Sequence, residues 1–113
     1  MSRLAVEMAE TPRMFTALLA AFDGGELVGI GGVAPEPTDA SAQRMRRLFV
    51  TGHARRRGVA RALANALLQE ALQHTRRVTV HAGNPGAERF WEAMGFAPVA
   101  SRPWGHEFAD ASG

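Results

Sequence analysis

Apolar and polar residues follow two competing patterns in the first third of this chain. Residues 17–22 and 26–34 are mostly apolar and flank Asp23-Gly24-Gly25, a sequence typical of a hairpin turn, which favours an antiparallel strand pair. A helix competes with the first of these strands. Thr11-Pro12 has the features of a helix start, and the apolar residues after it lie at helical spacing: Phe15, Leu18, Leu19 and Phe22. The prolines and turn formers of 35–41 predict a loop.

The pattern is simpler in the rest of the chain, where strands and helices alternate. Apolar residues predict a strand at 43–50, and the helical recurrence of Val59, Leu63, Leu67 and Ala71 predicts a helix at 58–73. The remaining predicted elements are a strand at 77–81, a helix that Asn84-Pro85 begins and Gly95 ends, and strands at 96–100 and 104–108. Antiparallel strands followed by strand-helix-strand-helix-strand indicate a mixed α/β architecture.

The junction between the strand at 43–50 and the following helix carries the run Arg55-Arg56-Arg57-Gly58-Val59-Ala60-Arg61. The free N–H groups of a first helical turn point out of the helix end, and the helix dipole adds roughly half a positive charge there. Gly58 permits a close backbone approach, and the arginines add fork-shaped donors that suit phosphate. A solvated basic loop is the alternative interpretation. The preferred prediction is a ligand that carries phosphate.

Composition limits the classes of protein to consider. A chain of 113 residues, with 46% apolar and 21% charged residues, fits one globular domain over residues 1–113. No apolar stretch approaches the ~20 residues needed to cross a membrane, so no membrane partner is predicted. The absence of cysteine excludes disulfides, thiol catalysis and thiolate metal ligands, and fits a cytoplasmic location. The four histidines lack ligand spacing, so no metal is predicted.

The distribution of charge is more informative than its sum. The formal net charge is only +2, and the high isoelectric point of 10.9 reflects a chain without lysine, tyrosine or cysteine. The arginines cluster in two neighbouring groups, at 44–47 and 55–61. A local anion site explains this clustering better than a general nucleic-acid surface does.

Two segments together resemble the GNAT family of N-acetyltransferases. The order R-x-x-G-x-A, formed by Arg55, Gly58 and Ala60, is similar to the family's pyrophosphate-binding signature. The later segment, with Asn84, Ala87 and Phe90-Trp91-Glu92-Ala93-Met94-Gly95-Phe96, is similar to the family's fifth-strand end and following helix. The resemblance covers about residues 17–108. It implies a mostly antiparallel sheet with a central splayed parallel strand pair flanked by helices, N-terminally short, with a short helix near 11–15 before the 17–22 and 26–34 strands.

The resemblance also implies acetyl-CoA as cosubstrate and a set of residues that bind it. The family pairs the pantetheine arm with the strand that here holds Leu48, Phe49 and Val50. The pyrophosphate would lie on the loop and first helical turn, formed by Arg55, Arg56, Arg57, Gly58, Val59, Ala60 and Arg61. Asn84 would hold the strand end open or donate to the pantetheine arm. Phe90 and Trp91 would line the same gap, although their helical spacing also fits core packing.

The catalytic groups are less evident than the cofactor groups. Family members commonly protonate the departing thiolate with a tyrosine where this chain has Trp91, and an indole N–H is far too weak an acid. Water could protonate the thiolate instead. The family's usual glutamate base is also missing from the strand at 43–50. His81, at the end of its strand, is the predicted base because imidazole titrates near neutral pH. His106 and Glu107 are weaker candidates.

These inferences predict an enzyme that moves an acetyl group from acetyl-CoA to a small-molecule or peptide amine by direct transfer in a ternary complex. A non-catalytic CoA-binding or regulatory module is the alternative, since an evident acid and base are lacking. A small RNA-binding domain ranks third, because the aromatic residues mostly lie at core-like spacing. The short segment before the 17–22 strand also predicts that a homodimer could complete the acceptor site.

Overall fold

The computed structural model describes residues 3–10, 13–52, 58–100 and 103–109. Within these ranges the chain forms a seven-stranded sheet in the order β1-β2-β3-β4-β5-β7-β6, together with two helices. The elements in chain order are β1 (Leu4–Met8), β2 (Ala17–Asp23), β3 (Glu26–Glu36), β4 (Asp39–Val50), α1 (Val59–Leu72), β5 (Arg77–Val80), α2 (Pro85–Ala93), β6 (Ala97–Pro98) and β7 (His106–Ala109).

The predicted short helix near 11–15 is wrong where the structure describes it. Residues 13 and 14 form a turn, Phe15 has no regular structure, and Thr11 and Pro12 lie outside the described residues. A first strand, β1, pairs antiparallel with β2 along its whole length, which the sequence interpretation did not anticipate. Of the two alternatives for residues 17–22, a helix or a strand, the structure contains the strand. Gly24 and Gly25 form the hairpin turn with positive φ angles, so β2 and β3 pair directly.

The loop predicted at 35–41 is also wrong, because β3 and β4 extend into it. Glu36 is paired with Asp39, which leaves only residues 37 and 38 in the turn. Pro35 lies opposite Gln43 beside a register shift, a position where a proline without an N–H can be accommodated in a sheet. The extension carries Glu36 into the body of the protein, where it is buried.

Helix α1 covers the middle of one face of the sheet and agrees with its predicted range. Its buried residues, including Leu63 and Leu67, belong to the main hydrophobic core. Two glycines of β3 allow the close approach: a Cβ at Gly29 would lie 2.8 Å from Leu63, and one at Gly31 would lie 2.7 Å from Leu67. Larger residues at either position would push the helix away from the strand.

Helix α2 also begins and ends as its sequence predicts. The Asn84 side chain accepts a hydrogen bond from the Ala87 N–H at 2.9 Å, and Gly95 follows the helix with a φ of 99°. The strand predicted at 96–100 is reduced to β6, because Phe96 is buried in the core instead of continuing the strand. The last strand begins at His106 and not at Trp104, which is buried just before it.

The central strands form the predicted splayed parallel pair. Strand β4 pairs with β5 only at Ala42–Arg77, Gln43–Val78 and Arg44–Thr79, although β4 continues to Val50. The rest of β4 therefore diverges from β5 and opens a gap at the C-terminal ends of both strands. This confirms the predicted fold class. Neither described helix has the length and apolar content required to cross a membrane.

Candidate functional site

An apolar cleft of about 500 Å³ lies in the gap that opens beyond the paired part of β4. Its lining comes from three elements and consists of Leu48, Phe49, Val50, Ala60, Gly86, Ala87, Phe90 and Trp91. The structure thus brings together six residues that the sequence nominated for cofactor binding: Leu48, Phe49, Val50, Ala60, Phe90 and Trp91. Their contact with a cofactor stays a prediction.

A bulge in β4 shapes this cleft. Ile30 pairs with Phe49 while Gly32 pairs with Arg46, so both Arg47 and Leu48 lie opposite Gly31. Arg47 has a φ of 56°, a left-handed conformation that non-glycine residues rarely adopt outside bulges and turns. An extra residue bends a strand and increases its twist. The bulge thus accompanies the divergence of β4 from β5.

The start of α1 adjoins the cleft through Ala60. Gly58 precedes the helix with a φ of 77°, and the first turn has no acidic residue. Among the described residues, no side chain caps the helix and no atom lies within 4 Å of where a Cβ of Gly58 would be. Val59 is buried and Arg61 is exposed. Arg55, Arg56, Arg57 and His53 lie outside the described residues, so the basic part of the predicted cradle stays a prediction.

A smaller cavity of about 170 Å³ lies beside the cleft. It is lined by Met45, Arg46, Arg47, Leu48, Val80, His81 and Trp91. Leu48 and Trp91 belong to the walls of both spaces. The cavity is more polar than the cleft, and two arginines and one histidine are among its lining residues.

His81 has a buried partner that the sequence interpretation missed. Its Nε2 lies 3.1 Å from Oε1 of Glu36, which also accepts a hydrogen bond of 2.9 Å from the Thr79 hydroxyl. Burial on its own would raise the pKa of Glu36. The hydrogen bonds from His81, Thr79 and the Thr38 N–H outweigh burial, so the pKa of Glu36 falls below its usual 4.5. No sequence signal pointed to Glu36, because it lay in a segment interpreted as a loop.

Phe90 and Trp91 pack against the core and also line the cleft, while their contact with a ligand stays a prediction. Trp91 is buried in the core and packs edge-to-face against Phe90 and Phe96, with ring centroids 5.0 and 5.1 Å apart. It also forms part of the wall between the two spaces. Asn84, in contrast, uses its side-chain oxygen to cap α2 and is not among the residues that line the cleft.

The weaker candidates for the base lie elsewhere. His106 is buried, and its Nε2 lies 2.8 Å from Oε2 of Glu92, while Glu107 lies 3.8 Å from Arg77. His106, Glu88 and Glu92 also bring potential metal-ligand atoms within 4.8 Å of one another. Helix packing creates this cluster, which no sequence spacing indicated. The prediction that no metal is bound stays untested.

Comparisons with known proteins agree with this architecture. A model of the acetyltransferase (GNAT) domain matches residues 4–106. A search of curated proteins finds no significant sequence match.

The solved structures that resemble the chain do so at low sequence identity. A protein from Exiguobacterium sp. 255-15 assigned as an acetyltransferase has a TM-score of 0.80 and 16% identity, over 94% of this chain and 93% of that one. A protein from Desulfovibrio desulfuricans assigned to the GNAT family has a TM-score of 0.73 and 14% identity, over 96% and 99%. A GNAT acetyltransferase from Elizabethkingia anophelis with acetyl-CoA bound has a TM-score of 0.71 and 13% identity, over 87% and 78%.

These structures agree with the sheet order, the splayed parallel pair and the two helices described above. The match of the family model spans nearly all of the described sheet and both helices. The chain belongs to the GNAT acetyltransferase family.

Proposed function

We propose that this protein transfers an acetyl group from acetyl-CoA to a primary amine in a single direct step. The observation that carries this proposal is the meeting of two spaces at Leu48 and Trp91. One space is an apolar cleft of about 500 Å³, and the other is a smaller, more polar cavity with His81 among its lining residues. Direct transfer requires such an arrangement, because donor and acceptor must be held together with their reacting atoms in contact.

The residues of the cleft suit acetyl-CoA. The apolar side chains of Leu48, Ala60 and Phe90 can cover the pantetheine arm, and Gly86 leaves room for its backbone-like amides. The start of α1 suits the pyrophosphate, because its first turn has no carboxylate and no described side chain caps it or approaches Gly58. The cosubstrate supplies the activated acetyl group as a thioester.

The chemistry divides between the backbone and the small cavity. Family resemblance assigns stabilisation of the thioester oxygen to a backbone N–H near Val50. The amine must lose a proton before or during attack, and His81 lines the cavity where the amine would lie. Trp91 donates no proton, so the thiolate leaves as the anion and takes its proton from water.

The two arginines of the small cavity favour an acceptor with an acidic group. Arg46 and Arg47 line the same cavity as His81, and guanidinium groups bind carboxylate and phosphate in fixed geometry. We therefore expect β-alanine to be acetylated with a higher kcat/KM than propylamine, which has the amine without the carboxylate. Equal values for the two amines would argue against this preference.

Calorimetric titration with acetyl-CoA tests the cofactor part of the proposal. A Gly58→Glu variant adds a carboxylate to the predicted cradle and should weaken binding at least about tenfold. Gly25→Glu is the matched control, because Gly25 also has a positive φ and an open Cβ position but lies in the β2–β3 turn. Binding lost equally in both variants, or absent in the native protein, would contradict the proposal.

The transfer itself can be followed through the thiol of released CoA. The chain has no cysteine, so a thiol reagent reports CoA with no background from the protein. Turnover with a panel of amines is the expected result. Tight binding of acetyl-CoA with no turnover on any amine would instead support the non-catalytic CoA-binding module.

A further inference from the structure

Glu36 is a buried carboxylate that the proposed transfer does not yet use. It lies at the end of β3, and its side chain is 2% exposed. Removing a carboxylate from water costs several kcal/mol unless the surrounding groups compensate it. Glu36 is compensated by the Thr79 hydroxyl at 2.9 Å, the Thr38 N–H at 3.3 Å and His81 Nε2 at 3.1 Å. The fold thus holds a negative charge directly behind the imidazole.

The hydrogen bonds around Glu36 determine which nitrogen of His81 carries the proton. The Thr38 N–H can only donate, and Oε1 receives both the Thr79 hydroxyl and His81 Nε2. The pKa of Glu36 lies below its usual value, so the carboxylate is ionised at neutral pH and acts only as an acceptor. Nε2 of His81 must therefore carry a hydrogen, and the lone pair of the neutral ring is on Nδ1.

We propose that Glu36 is a positioning residue that holds His81 with its hydrogen on Nε2, so that Nδ1 is the base for the acceptor amine. This inference rests on the proposed function. Nδ1 first takes one proton from the ammonium form of the acceptor. The neutral amine then attacks, the C–N bond forms, the thioester C–S bond breaks, and the thiolate leaves with the bonding electron pair. The second proton of the nitrogen passes to water, and the thiolate takes a proton from water. The imidazolium that results is stabilised by the Glu36 carboxylate.

The charges that surround His81 make this carboxylate important. Arg46 and Arg47 of β4 line the same cavity, Arg44 of β4 is paired with Thr79, and Arg77 begins β5, which ends one residue before His81. On the other side, Glu107 of β7 is paired with Thr79. The carboxylate of Glu36, at hydrogen-bond distance from Nε2, is the negative charge that faces the imidazolium formed during the transfer.

The first test is the protonation pattern of the ring itself. Nitrogen NMR of the native protein, with His81 assigned through a His81→Gln variant, should show the neutral ring with its hydrogen on Nε2. A Glu36→Gln variant keeps the shape of the side chain but presents an amide, and should populate the form with the hydrogen on Nδ1. A native ring with its hydrogen on Nδ1 would overturn the inference, whatever the catalytic activity.

The second test separates proton removal from a merely structural role. β-Alanine is protonated at neutral pH, whereas aminooxyacetate has nearly the same shape and a weakly basic nitrogen that is already neutral. His81→Gln should lower kcat about 10²-fold or more for β-alanine and much less for aminooxyacetate. Glu36→Gln should show the same split, about tenfold for β-alanine, with KM for acetyl-CoA unchanged.

The results of these experiments also separate this inference from the proposed function. If no amine of the panel is acetylated, the proposed function fails, and the catalytic role of the pair fails with it. If transfer occurs but both variants slow the two probes equally, only this inference fails. If an alkylamine other than β-alanine is the better acceptor, its own aminooxy analogue gives the matched probe.

Discussion

The described part of the chain holds two Glu–His pairs with opposite burial. In the first, the Glu36 side chain is 2% exposed and that of His81 is 34% exposed, with 3.1 Å between the paired atoms. In the second, the Glu92 side chain is 47% exposed and that of His106 is 6% exposed, at 2.8 Å. The residue types and distances are nearly the same. Burial distinguishes the two imidazoles: that of His81 is partly exposed beside a buried carboxylate, and that of His106 is almost wholly buried beside an exposed one.

This difference shows why a histidine must be judged by its surroundings. A base has to reach the substrate, so its ring needs an open side and a fixed partner behind it. His81 meets both conditions, because it lines a cavity beside the cleft and Glu36 is buried. In the second pair the ring is buried and the carboxylate faces solvent, which is the arrangement of a structural contact. Four predictions follow from the comparison, from the largest expected effect to the smallest.

The largest effect is expected from losing the imidazole of the first pair. His81→Gln should lower kcat for a protonated alkylamine by about 10²- to 10⁴-fold, the usual contribution of a general base. Binding of acetyl-CoA, measured by calorimetry, should stay within about twofold of the native value, because His81 does not line the cleft. A large loss of binding would show that His81 supports the cleft instead.

In each pair, losing the buried residue should lower the free energy of unfolding more than losing the exposed one. Glu36→Ala leaves the Thr79 hydroxyl without its buried acceptor, which should cost about 1–3 kcal/mol of unfolding free energy. His81→Ala should cost less than about 1 kcal/mol, because the ring is partly exposed. In the second pair the order should reverse, with His106→Ala the more costly change. Urea denaturation of these three variants and of Glu92→Ala measures the four costs. Equal costs within each pair would refute the role assigned to burial.

The first pair should also make stability depend on pH in acid. The pKa of Glu36 is lower in the folded protein than its usual 4.5, so folding favours the ionised form. The resulting stabilisation is present above about pH 4.5 and is lost as the pH falls through the folded-state pKa. Denaturation midpoints measured between neutral and acid pH should therefore fall less steeply for Glu36→Gln than for the native protein. Parallel curves would exclude a Glu36 contribution.

The smallest effect is expected from the exposed carboxylate of the second pair. Glu92→Gln should leave kcat and acetyl-CoA binding within about twofold of the native values, because Glu92 lines neither space of the site. The same substitution at Glu36 changes a buried partner of His81, so the two variants form a matched pair. A loss of activity in Glu92→Gln comparable with that of Glu36→Gln would remove the distinction between the pairs.

Much of the fold was predictable from local signals. Asn84, Pro85 and Gly95 marked the limits of α2, and the apolar spacing on α1 marked its buried face. The signals that misled were equally local. Thr11-Pro12 and the apolar spacing after it favoured a helix, but pairing with β3 stabilises β2 as a strand. Pro35 and Pro37 favoured a loop, but the pairing of β3 with β4 continues to Glu36 and Asp39. Pairing partners far along the chain decided these cases, and no short segment contains that information.

The candidate site was predictable to the extent that it depends on contiguous residues. Leu48 to Val50 and the Phe90-Trp91 pair were nominated from the sequence, and they meet in one cleft. The basic residues Arg55 to Arg57 lie outside the described residues, and their role stays a prediction. So does the homodimer, which light scattering would test.

The sequence by itself determined the family of this protein, its mixed α/β architecture and the chain segments that form the cleft. These properties reside in short motifs and in apolar periodicity, which each segment carries alone. The tertiary structure decided which titratable groups act together. Glu36 and His81 are 45 residues apart in sequence, and β4 separates their strands in the sheet. Only the sheet register and the burial that accompanies it bring a buried carboxylate to one imidazole and pair the other, buried imidazole with an exposed carboxylate of α2.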